Sequence, residues 1–242
     1  MNQPHIGAHL MSVKRGAYRA LLATYRAELA TALAGLRARG GRIVIVVEGR
    51  DGAGKTGAIR RLVRGVSPSV ARVVHLGPPE PGRPYLDRWR EELARPTTCT
   101  VLDRSWYNRA ALEPVMGYCT AAEAAAFLAG VPAFEHELVE GGVVLVKLLL
   151  DVSRDEQARR LARRAAPTPI DRLAVERWDE YSDAIATMLA RTDTAHAPWL
   201  CLDADEKRTT RLRLIRATID AITESHPQEV EHGDVSRQLR GV

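Results

Sequence analysis

The sequence predicts an α/β protein in which a five-stranded parallel sheet lies between two layers of helices, a three-layer sandwich. Short apolar runs alternate along the chain with segments of helical periodicity, which is typical of a parallel sheet covered on both faces. A glycine-rich stretch at residues 49–56 follows the first apolar run and opens a helical segment. The order of strand, glycine loop and helix is that of a P-loop protein.

The apolar runs give the predicted strands. A run that is apolar at successive positions, rather than at alternating ones, indicates a strand buried on both faces. The runs lie at residues 42–48, 71–76, 99–103, 143–151 and 199–203.

The helices are predicted from apolar residues that recur every three or four positions and from residues that favour helix ends. An amphipathic helix is expected at 14–39, where Gly40 and Gly41 end it. The alanine-rich stretch 121–139 is expected to form two short helices, broken at Gly130–Pro132. The other helices are expected near Gly54, over 84–94, near Ser105, from Ser153 with Glu156 in a capping box, after Pro169, and over 206–222.

The composition is that of a water-soluble globular protein, with 45% hydrophobic and 27% charged residues in a chain of 242. No apolar run approaches the roughly 20 residues that span a bilayer, and the first residues lack the apolar core of a signal peptide. We therefore expect a cytoplasmic protein with no membrane partner. Residues 1–223 are expected to form a single domain, and residues 224–242 a disordered tail.

The chain is basic, with a net charge of +5, and this favours a polyanionic partner. Polyphosphate, a nucleotide, a nucleic acid and an acidic lipid all carry such charge, and net charge alone does not choose among them. Lysine occurs at positions 14, 55, 147 and 207, and every other base is arginine. A lysine inside the glycine loop therefore indicates a specific role, because a slender amine reaches between phosphates where a guanidinium does not.

The stretch Gly49–Thr56 matches the motif G-x-x-x-x-G-K-[ST] at every required position. Glycines let the backbone turn its N–H groups toward one point, and the helix that follows adds the positive end of its dipole. Lys55 is expected to reach the phosphates, and Thr56 to offer its hydroxyl to Mg²⁺. The loop residues predicted to bind phosphate are Gly49, Gly52, Ala53, Gly54, Lys55 and Thr56.

Two aspartates are candidate magnesium ligands, together with Thr56. Asp51 lies inside the loop, where a carboxylate that faces phosphates is repelled unless a cation lies between them. It is expected to bind Mg²⁺ or to position the acceptor phosphate, and the alternative is a cap on its own loop backbone. Asp103 ends the third strand, where a second Mg²⁺ anchor is expected beside a P-loop, and the alternative is a helix cap.

Basic and amide side chains follow Asp103. Arg104 is adjacent to it, and Asn108 and Arg109 lie one helical turn beyond Ser105, so both are expected to point back toward the same crevice. For Arg109 the alternative is a solvated surface charge. Such a crevice lies at the carboxyl ends of the strands, where open α/β sheets bind ligands. The predicted catalytic residues are Asp51, Lys55, Asp103, Arg104, Asn108 and Arg109.

A second basic cluster follows the fourth strand. Arg159 and Arg163 are four residues apart, as are Arg160 and Arg164, so each pair shares one face of a helix. Like charges so placed destabilise a free helix, and a bound polyanion would offset their repulsion. We expect a short arginine-rich helical lid at about 153–172 that binds transferring phosphates, within a P-loop kinase-like fold. The alternative is a solvated basic face.

Four stretches of the chain resemble the polyphosphate kinase type 2 family in the same order, over roughly residues 20–222. They are EGRDGAGKTGAIRRL, DRSWYNRAALEPVMGYCT, GVVLVKLLLDVSRDEQARRL and ERWDEYSDAIATMLARTDTAHAPW. The resemblance implies a Mg²⁺-dependent, reversible enzyme that moves a phosphoryl group between inorganic polyphosphate and a nucleoside diphosphate, ADP or GDP. It also implies a cytoplasmic homo-oligomer, a dimer or tetramer, and gives no reason to expect a nucleic-acid partner.

The resemblance also implies roles for particular residues. The loop and the Asp-Arg-Ser-Trp-Tyr-Asn-Arg motif match the residues already predicted as catalytic. Glu113 falls where family members that act on diphosphates carry an acid, and Arg88 where the family often has a phosphate-binding arginine. Thr56 departs from the family, which commonly has glycine there. Residues 165–171 replace a longer stretch that contains two lysines and a tryptophan.

Two other functions are compatible with these features. One is an ATP-dependent nucleoside-monophosphate kinase, which also uses a P-loop, an Asp-Arg pair and an arginine-rich lid. The other is a polyphosphate or nucleotide sensor that has the fold but is inactive because its lid is short. The length of the SWYNRA continuation argues against the first, and the presence of Asp51, Lys55 and Asp103 argues against the second.

Overall fold

The fold is taken from a computed structural model that describes residues 13–80, 82–165 and 169–225, without the side chains of residues 169 and 170. Apart from its first two residues, the tail predicted to be disordered lies outside the described part of the chain, as do residues 166–168 of the predicted lid. Over the ranges that are described, no helix is both long and apolar enough to cross a membrane.

The sheet has five strands in the order β2-β3-β1-β4-β5, and every neighbouring pair is parallel. All five strands lie where the apolar runs predict them. The second is shorter than expected because it pairs with its neighbour only as far as Val74, opposite Leu102. The strands are β1 Arg42–Gly49, β2 Ala71–Val74, β3 Cys99–Asp103, β4 Val143–Asp151 and β5 Trp199–Asp203.

Helices fill the connections between strands, and a 3₁₀ turn, Trp106–Arg109, follows β3. Most begin and end within a few residues of the predicted positions. The helices are α1 Arg15–Ala38, α2 Lys55–Leu62, α3 Asp87–Ala94, α4 Leu112–Met116, α5 Ala121–Glu140, α6 Arg154–Ala162, α7 Pro169–Glu176, α8 Trp178–Thr192 and α9 Lys207–Glu224.

Two helix predictions were wrong. The predicted break at Gly130–Pro132 is absent: α5 is continuous with Pro132 inside it, and Phe127, Val131 and Phe134 are buried along its length. Burial of this face outweighs the backbone hydrogen bond that proline cannot donate. The helix predicted after Pro169 is instead two helices, α7 and α8, separated at Arg177, whose side chain donates to the Val115 carbonyl.

Apolar side chains form two cores, one on each face of the sheet. Strand β1 contributes to both, since Ile43, Ile45 and Val47 pack with α1, α2 and α9, whereas Val44 and Val46 pack with α3, α5 and α8. Successive side chains of a strand point to opposite faces, so this alternation is what a sheet covered on both sides requires. The predicted three-layer sandwich is confirmed.

A buried polar network lies in the second core. Lys147 of β4 donates to Glu135 at 2.7 Å, to Tyr107 Oη at 3.2 Å and to the Thr192 carbonyl at 2.6 Å. Trp106 Nε1 and the Tyr107 hydroxyl also donate to Glu135, at 3.1 and 2.6 Å. The indole and the phenol of the 3₁₀ turn are therefore fixed in the interior, and this fixes the backbone that follows Asp103.

Glu135→Ala should lower the free energy of unfolding by about 3–5 kcal/mol, because it leaves the Lys147 ammonium buried without its counter-ion. Both side chains are at most 1% exposed. Urea unfolding followed by circular dichroism measures the change. Glu137→Ala, on the same helix but in the exposed pair with Arg90, is the matched control and should cost less than about 1 kcal/mol. If both variants lost the same free energy of unfolding, the buried network would not be important for stability.

Candidate active site

The glycine loop lies between β1, the central strand, and the start of α2. Gly49 has φ of 139° and Gly54 has φ of 96°, values that L side chains rarely adopt. A Cβ on Gly49 would also lie 2.3 Å from the Leu150 carbonyl oxygen of β4. The loop can therefore pass this close to the sheet only with glycine at position 49.

Lys55, the first residue of α2, is folded back into the loop. Its ammonium donates to the carbonyls of Gly49 at 2.6 Å and Arg50 at 3.0 Å, and the residue is buried. Burial, followed by repulsion from Arg104, lowers the Lys55 pKa to about 8, although nearby carboxylates oppose the shift. A bound anion would therefore stabilise the positive charge of this amine.

Asp51 and Arg104 join the loop to the end of β3. Arg104 Nη2 lies 2.6 Å from Asp51 Oδ1, whereas Asp51 Oδ2 is buried without a hydrogen-bond partner among the described residues. Burial alone would raise the pKa of the Asp51 carboxyl, but Arg104 and then Lys55 hold it below its ordinary value. Asp51 thus contacts the side chain of Arg104, whereas the alternative interpretation had it capping its own loop backbone.

Thr56 and Asp103 meet on the other side of the loop. Thr56 Oγ1 donates to Asp103 Oδ2 at 3.0 Å, and the Asp103 carbonyl contacts His75 Nδ1 at 2.9 Å. No group of three or more histidine, cysteine or acidic side chains arranged to hold a metal occurs among the described residues. The available oxygens are two carboxylates and a hydroxyl, a set that suits Mg²⁺, which keeps several waters and binds substrate oxygens.

Glu48 is a buried acid of the site that the sequence analysis did not identify. Its Oε1 accepts from the Ser105 amide at 2.6 Å and the Ser105 hydroxyl at 2.8 Å. Burial raises the Glu48 pKa, although Arg104 and Lys55 oppose the shift. The sequence did contain a signal for this residue, since Glu48 is a charged residue at the end of an otherwise apolar run. Glu48 fixes the backbone where β3 enters the 3₁₀ turn.

Arg109 and Glu113 form a second polar cluster rather than joining the loop residues. Arg109 Nε lies 2.9 Å from Glu113 Oε2, and Nη1 lies 3.3 Å from Glu123. The guanidinium lies 4.3 Å over the ring of Tyr85, whose hydroxyl donates to Glu113 Oε1 at 3.2 Å. Arg109 is 9% exposed, so it is not the solvated surface charge of the alternative.

Asn108 and Arg88 are the remaining residues proposed from the sequence outside the lid. Asn108 is half-buried, and its Oδ1 is buried without a hydrogen-bond partner among the described residues. Arg88 donates to the Gly77 carbonyl at 2.6 Å and lines a cavity of about 320 Å³. The cavity is lined by Leu76, Gly77, Pro78, Pro79, Glu80, Arg83, Pro84, Tyr85, Arg88, Glu91, Glu92 and Arg95.

Arg160 has a different position from the one expected of a lid residue. It lies beneath the loop and donates to the carbonyls of Gly52 at 2.9 Å, Ala53 at 3.3 Å, Ala204 at 2.8 Å and Asp205 at 2.9 Å. Its Nε donates to Glu156. All five N–H donors of the guanidinium are thereby used, so the prediction that Arg160 binds phosphate is corrected: it ties the loop backbone to the β5–α9 connection.

The other lid arginines are exposed. Arg159 donates to Glu156 at 2.7 Å, and Arg164 forms an ion pair with Asp171 of α7. Arg163 caps the end of α6. The helix starts at Ser153, whose hydroxyl accepts from the Glu156 amide at 3.4 Å as predicted. The predicted capping box is incomplete, because the Ser153 amide donates to Asp205 Oδ1 rather than to Glu156. Three of the four predicted lid arginines are thus available on the solvent side of α6.

The parallel sheet, the glycine loop and the acids at the strand ends define a protein of the P-loop kinase class. The family model named polyphosphate kinase 2 matches residues 12–230. The chain belongs to the polyphosphate kinase 2 family.

Relatives support this assignment in sequence and in structure. An ADP-polyphosphate phosphotransferase 3 of Rhizobium meliloti is 39% identical over 217 residues, which cover 86% of this chain and 76% of the relative. A GDP-polyphosphate phosphotransferase of Mycobacterium tuberculosis is 41% identical over 196 residues, covering 77% of this chain and 66% of the relative. The solved polyphosphate kinase 2 of Arthrobacter aurescens TC1 has a TM-score of 0.79 at 28% identity and covers 88% of this chain and 80% of its own.

The chain is shorter than several proteins that it matches. A solved chain from Pseudomonas aeruginosa PA01 described as a polyphosphate kinase 2 has a TM-score of 0.81 at 32% identity. That match covers 89% of this chain but 49% of the Pseudomonas chain.

The affinity for tripolyphosphate should fall as pH rises through about 8, the pKa of Lys55, because the free amine loses the charge that binds an anion. Arg104, Asp51, Glu48 and Asp103 are the charged groups that face this amine. Above its pKa, binding must also protonate Lys55, so the affinity should fall by up to about tenfold per pH unit. Calorimetry at several pH values measures it. In Lys55→Met the part of the pH dependence that comes from Lys55 should be absent, and the part that comes from ionisation of tripolyphosphate itself should remain. If the affinity of Lys55→Met depended on pH as that of the wild type does, Lys55 would not be the titrating group.

Arg160→Gln should lower the free energy of unfolding by about 2–4 kcal/mol, because it leaves the buried carbonyls of Ala53 and Ala204 without this donor. Arg163→Gln on the same helix is the matched control and should change stability by less than about 0.5 kcal/mol. Thermal and urea unfolding measure both. An Arg160→Gln protein as stable as the control would show that these hydrogen bonds do not support the loop.

Proposed function

We propose that the chain transfers a phosphoryl group between inorganic polyphosphate and a nucleoside diphosphate, ADP or GDP, reversibly forming the nucleoside triphosphate. The observation that carries the proposal is the convergence of Lys55, Asp51 with Arg104, and Thr56 with Asp103 on one glycine loop. The names of the relatives, which are ADP- and GDP-polyphosphate phosphotransferases, support it.

In the proposed reaction, a terminal oxygen of the nucleoside diphosphate attacks the terminal phosphorus of the polyphosphate chain. A new P–O bond forms, the bond to the next bridging oxygen breaks, and the chain leaves one phosphate shorter. The attacking oxygen is already ionised near neutral pH, so no general base is needed. Phosphoryl transfer depends mainly on positioning and charge neutralisation. Lys55 and the loop amides would supply these at the transferred phosphate.

We propose Mg²⁺ as the cofactor, held by Asp51, Thr56 and Asp103. The buried Oδ2 of Asp51, which has no partner among the described residues, and the Oδ2 of Asp103 beside the Thr56 hydroxyl are the oxygens that fit it. When bound, Mg²⁺ neutralises charge on the phosphate oxygens. Arg104 holds the other oxygen of Asp51, so this carboxylate is already oriented before any ligand arrives.

The acceptor nucleotide is proposed to lie on the side of the second polar cluster. Glu113 is buried. Burial raises its pKa, although Arg109 opposes the shift. Its carboxyl group therefore contacts neighbouring side chains rather than solvent. Arg88 and Tyr85 connect this cluster to the 320 Å³ cavity. We propose Glu113 as a determinant of nucleotide specificity, Arg88 as a phosphate ligand, and Asn108 and Arg109 as positioning groups.

The exposed lid arginines are proposed to bind the phosphates that flank the reacting one. Within the described ranges, Arg159 and Arg164 form ion pairs with carboxylates that a polyanion could replace, Glu156 and Asp171. Arg163 lies between them in sequence and is exposed. The proposed lid is therefore formed by three arginines, with Arg160 as the residue that holds α6 against the loop.

Other properties are proposed from the resemblance to the family. These are a dimer or tetramer of identical chains, a cytoplasmic location, and one P-loop kinase domain that ends before residue 224. The two alternative functions have less support. No nucleoside-monophosphate kinase is among the relatives described above, and those relatives are named as phosphotransferases rather than as sensors.

Purified protein with Mg²⁺, polyphosphate and ADP or GDP should form the nucleoside triphosphate, measured by chromatography. Lys55→Ala should lower turnover by a factor of about 10²–10⁴, since a charge contact to the transferred phosphate is lost. Lys14→Ala removes an exposed lysine at the start of α1 and should leave turnover unchanged.

The same assay separates the alternatives. Formation of a nucleoside diphosphate from a monophosphate and ATP, without use of polyphosphate, would establish the monophosphate kinase instead. Tight binding of polyphosphate without turnover would establish the sensor. A Lys55→Ala protein within a few-fold of wild type would show that the loop is not the transfer site.

A further inference from the structure

Arg50 of the glycine loop is a buried arginine without an ion pair among the described residues. It is 4% exposed, and its side chain points to α8 rather than into the crevice. Its guanidinium lies 3.7 Å from the centroid of the Trp178 ring, and it donates to the Trp178 carbonyl at 3.1 Å and to Ser182 Oγ at 2.7 Å. A desolvated guanidinium held by a ring face and two hydrogen bonds is a specific contact.

Side chains of helix α6 donate hydrogen bonds to the backbone carbonyls of the same loop. Gln157 Nε2 donates to the Asp51 carbonyl at 2.9 Å, and Arg160 donates to those of Gly52 and Ala53. The backbone of residues 50–53 is therefore held by α6 through its carbonyls and by α8 through the Arg50 side chain. Neither helix contacts the crevice through these groups, so their effect on a ligand there must act through the loop.

The first turn of α8 also reaches the partner of Asp51. Tyr181, one residue before Ser182, lies beside Arg104, which in turn contacts Asp51 Oδ1 at 2.6 Å. Trp178 begins α8, next to the break with α7 at Arg177. The start of α8 thus contacts Arg50, which precedes Asp51 in the loop, and lies beside Arg104, which pairs with the Asp51 carboxylate.

We propose that Arg50 and Trp178 form a latch that fixes the phosphate loop against α8, with Arg50 as a positioning residue for Asp51 and the loop amides. The kinetic part of this inference rests on the function proposed above, whereas the latch itself does not. Because α8 continues from α7 of the predicted lid, the latch makes the geometry of the phosphate loop depend on the position of the lid helices.

Hydrogen exchange measured by mass spectrometry tests the latch without any reaction. Peptides that cover residues 49–56 should exchange at least about tenfold faster in Arg50→Met and in Trp178→Ala, because the loop then opens more often. The double variant should be no faster than Arg50→Met alone, since Arg50→Met already removes the contact that Trp178→Ala removes. Arg90→Met, which removes an arginine that lies 4.9 Å over Phe134 away from the site, is the matched control and should leave the loop unchanged.

Kinetics test the positioning role. Both variants should lower kcat by about tenfold with KM for polyphosphate within about twofold, because positioning acts on the transition state rather than on binding. Trp178→Phe keeps a ring under the guanidinium and should restore most of kcat. Ser182→Ala, the mildest change, should lower kcat by about two- to threefold, in line with one lost hydrogen bond. Thermal unfolding confirms that each variant is folded.

The outcomes separate the latch from the proposed function. Additive effects of Arg50→Met and Trp178→Ala on loop exchange, or no effect, would overturn the latch whatever the activity. A rise in KM with kcat unchanged would show that Arg50 only adds charge for binding, and would overturn its positioning role. Absence of turnover in the wild type would refute the proposed function. The comparison of hydrogen exchange in the single and double variants would still show whether the latch exists.

Discussion

The contact between Asp51 and Arg104 is the interaction on which the site depends. It joins the loop after β1 to the segment after β3, at 2.6 Å. Arg104 is the single non-glycine residue with positive φ in the described ranges, at 65°. This conformation costs an L residue free energy, so it persists only where the surroundings enforce it. The Asp51 carboxylate and the hydrogen bond from the Arg104 amide to the Val47 carbonyl do so.

Charge is concentrated at this junction before any substrate binds. Lys55 and Arg104 lie with Asp51 and Glu48 in a buried volume where the dielectric response is weak, so each pKa depends on the others. Burial, and after it repulsion from Arg104, lowers the pKa of Lys55, so the nearby carboxylates compensate its positive charge only in part. A polyanion relieves that deficit, which is why such an arrangement favours phosphate binding rather than protein stability.

Local signals in the sequence predicted the strands, the loop and the acids, since an apolar run or a glycine pattern has its effect within a few residues. They failed where packing decides. Pro132 signals a helix break, but burial of Phe134 and its neighbours overrides it. Nothing in the spacing of the arginines distinguishes Arg160 from Arg163. The difference arises because α6 rests on the loop and brings four backbone carbonyls within reach of one guanidinium. Arg50 escaped notice for the same reason.

The motif from Asp103 to Arg109 combines chemistry with scaffold. Its tryptophan and tyrosine are buried completely and bonded to Glu135, whereas its acid and its arginines face the two polar clusters. The phosphate loop therefore meets one end of a short, rigid 3₁₀ turn, and the Arg109–Glu113 cluster meets the other. If phosphate donor and nucleotide occupy these two ends, the distance between them is set by the core of the protein. Positioning of reactants by a packed element is what phosphoryl transfer needs most.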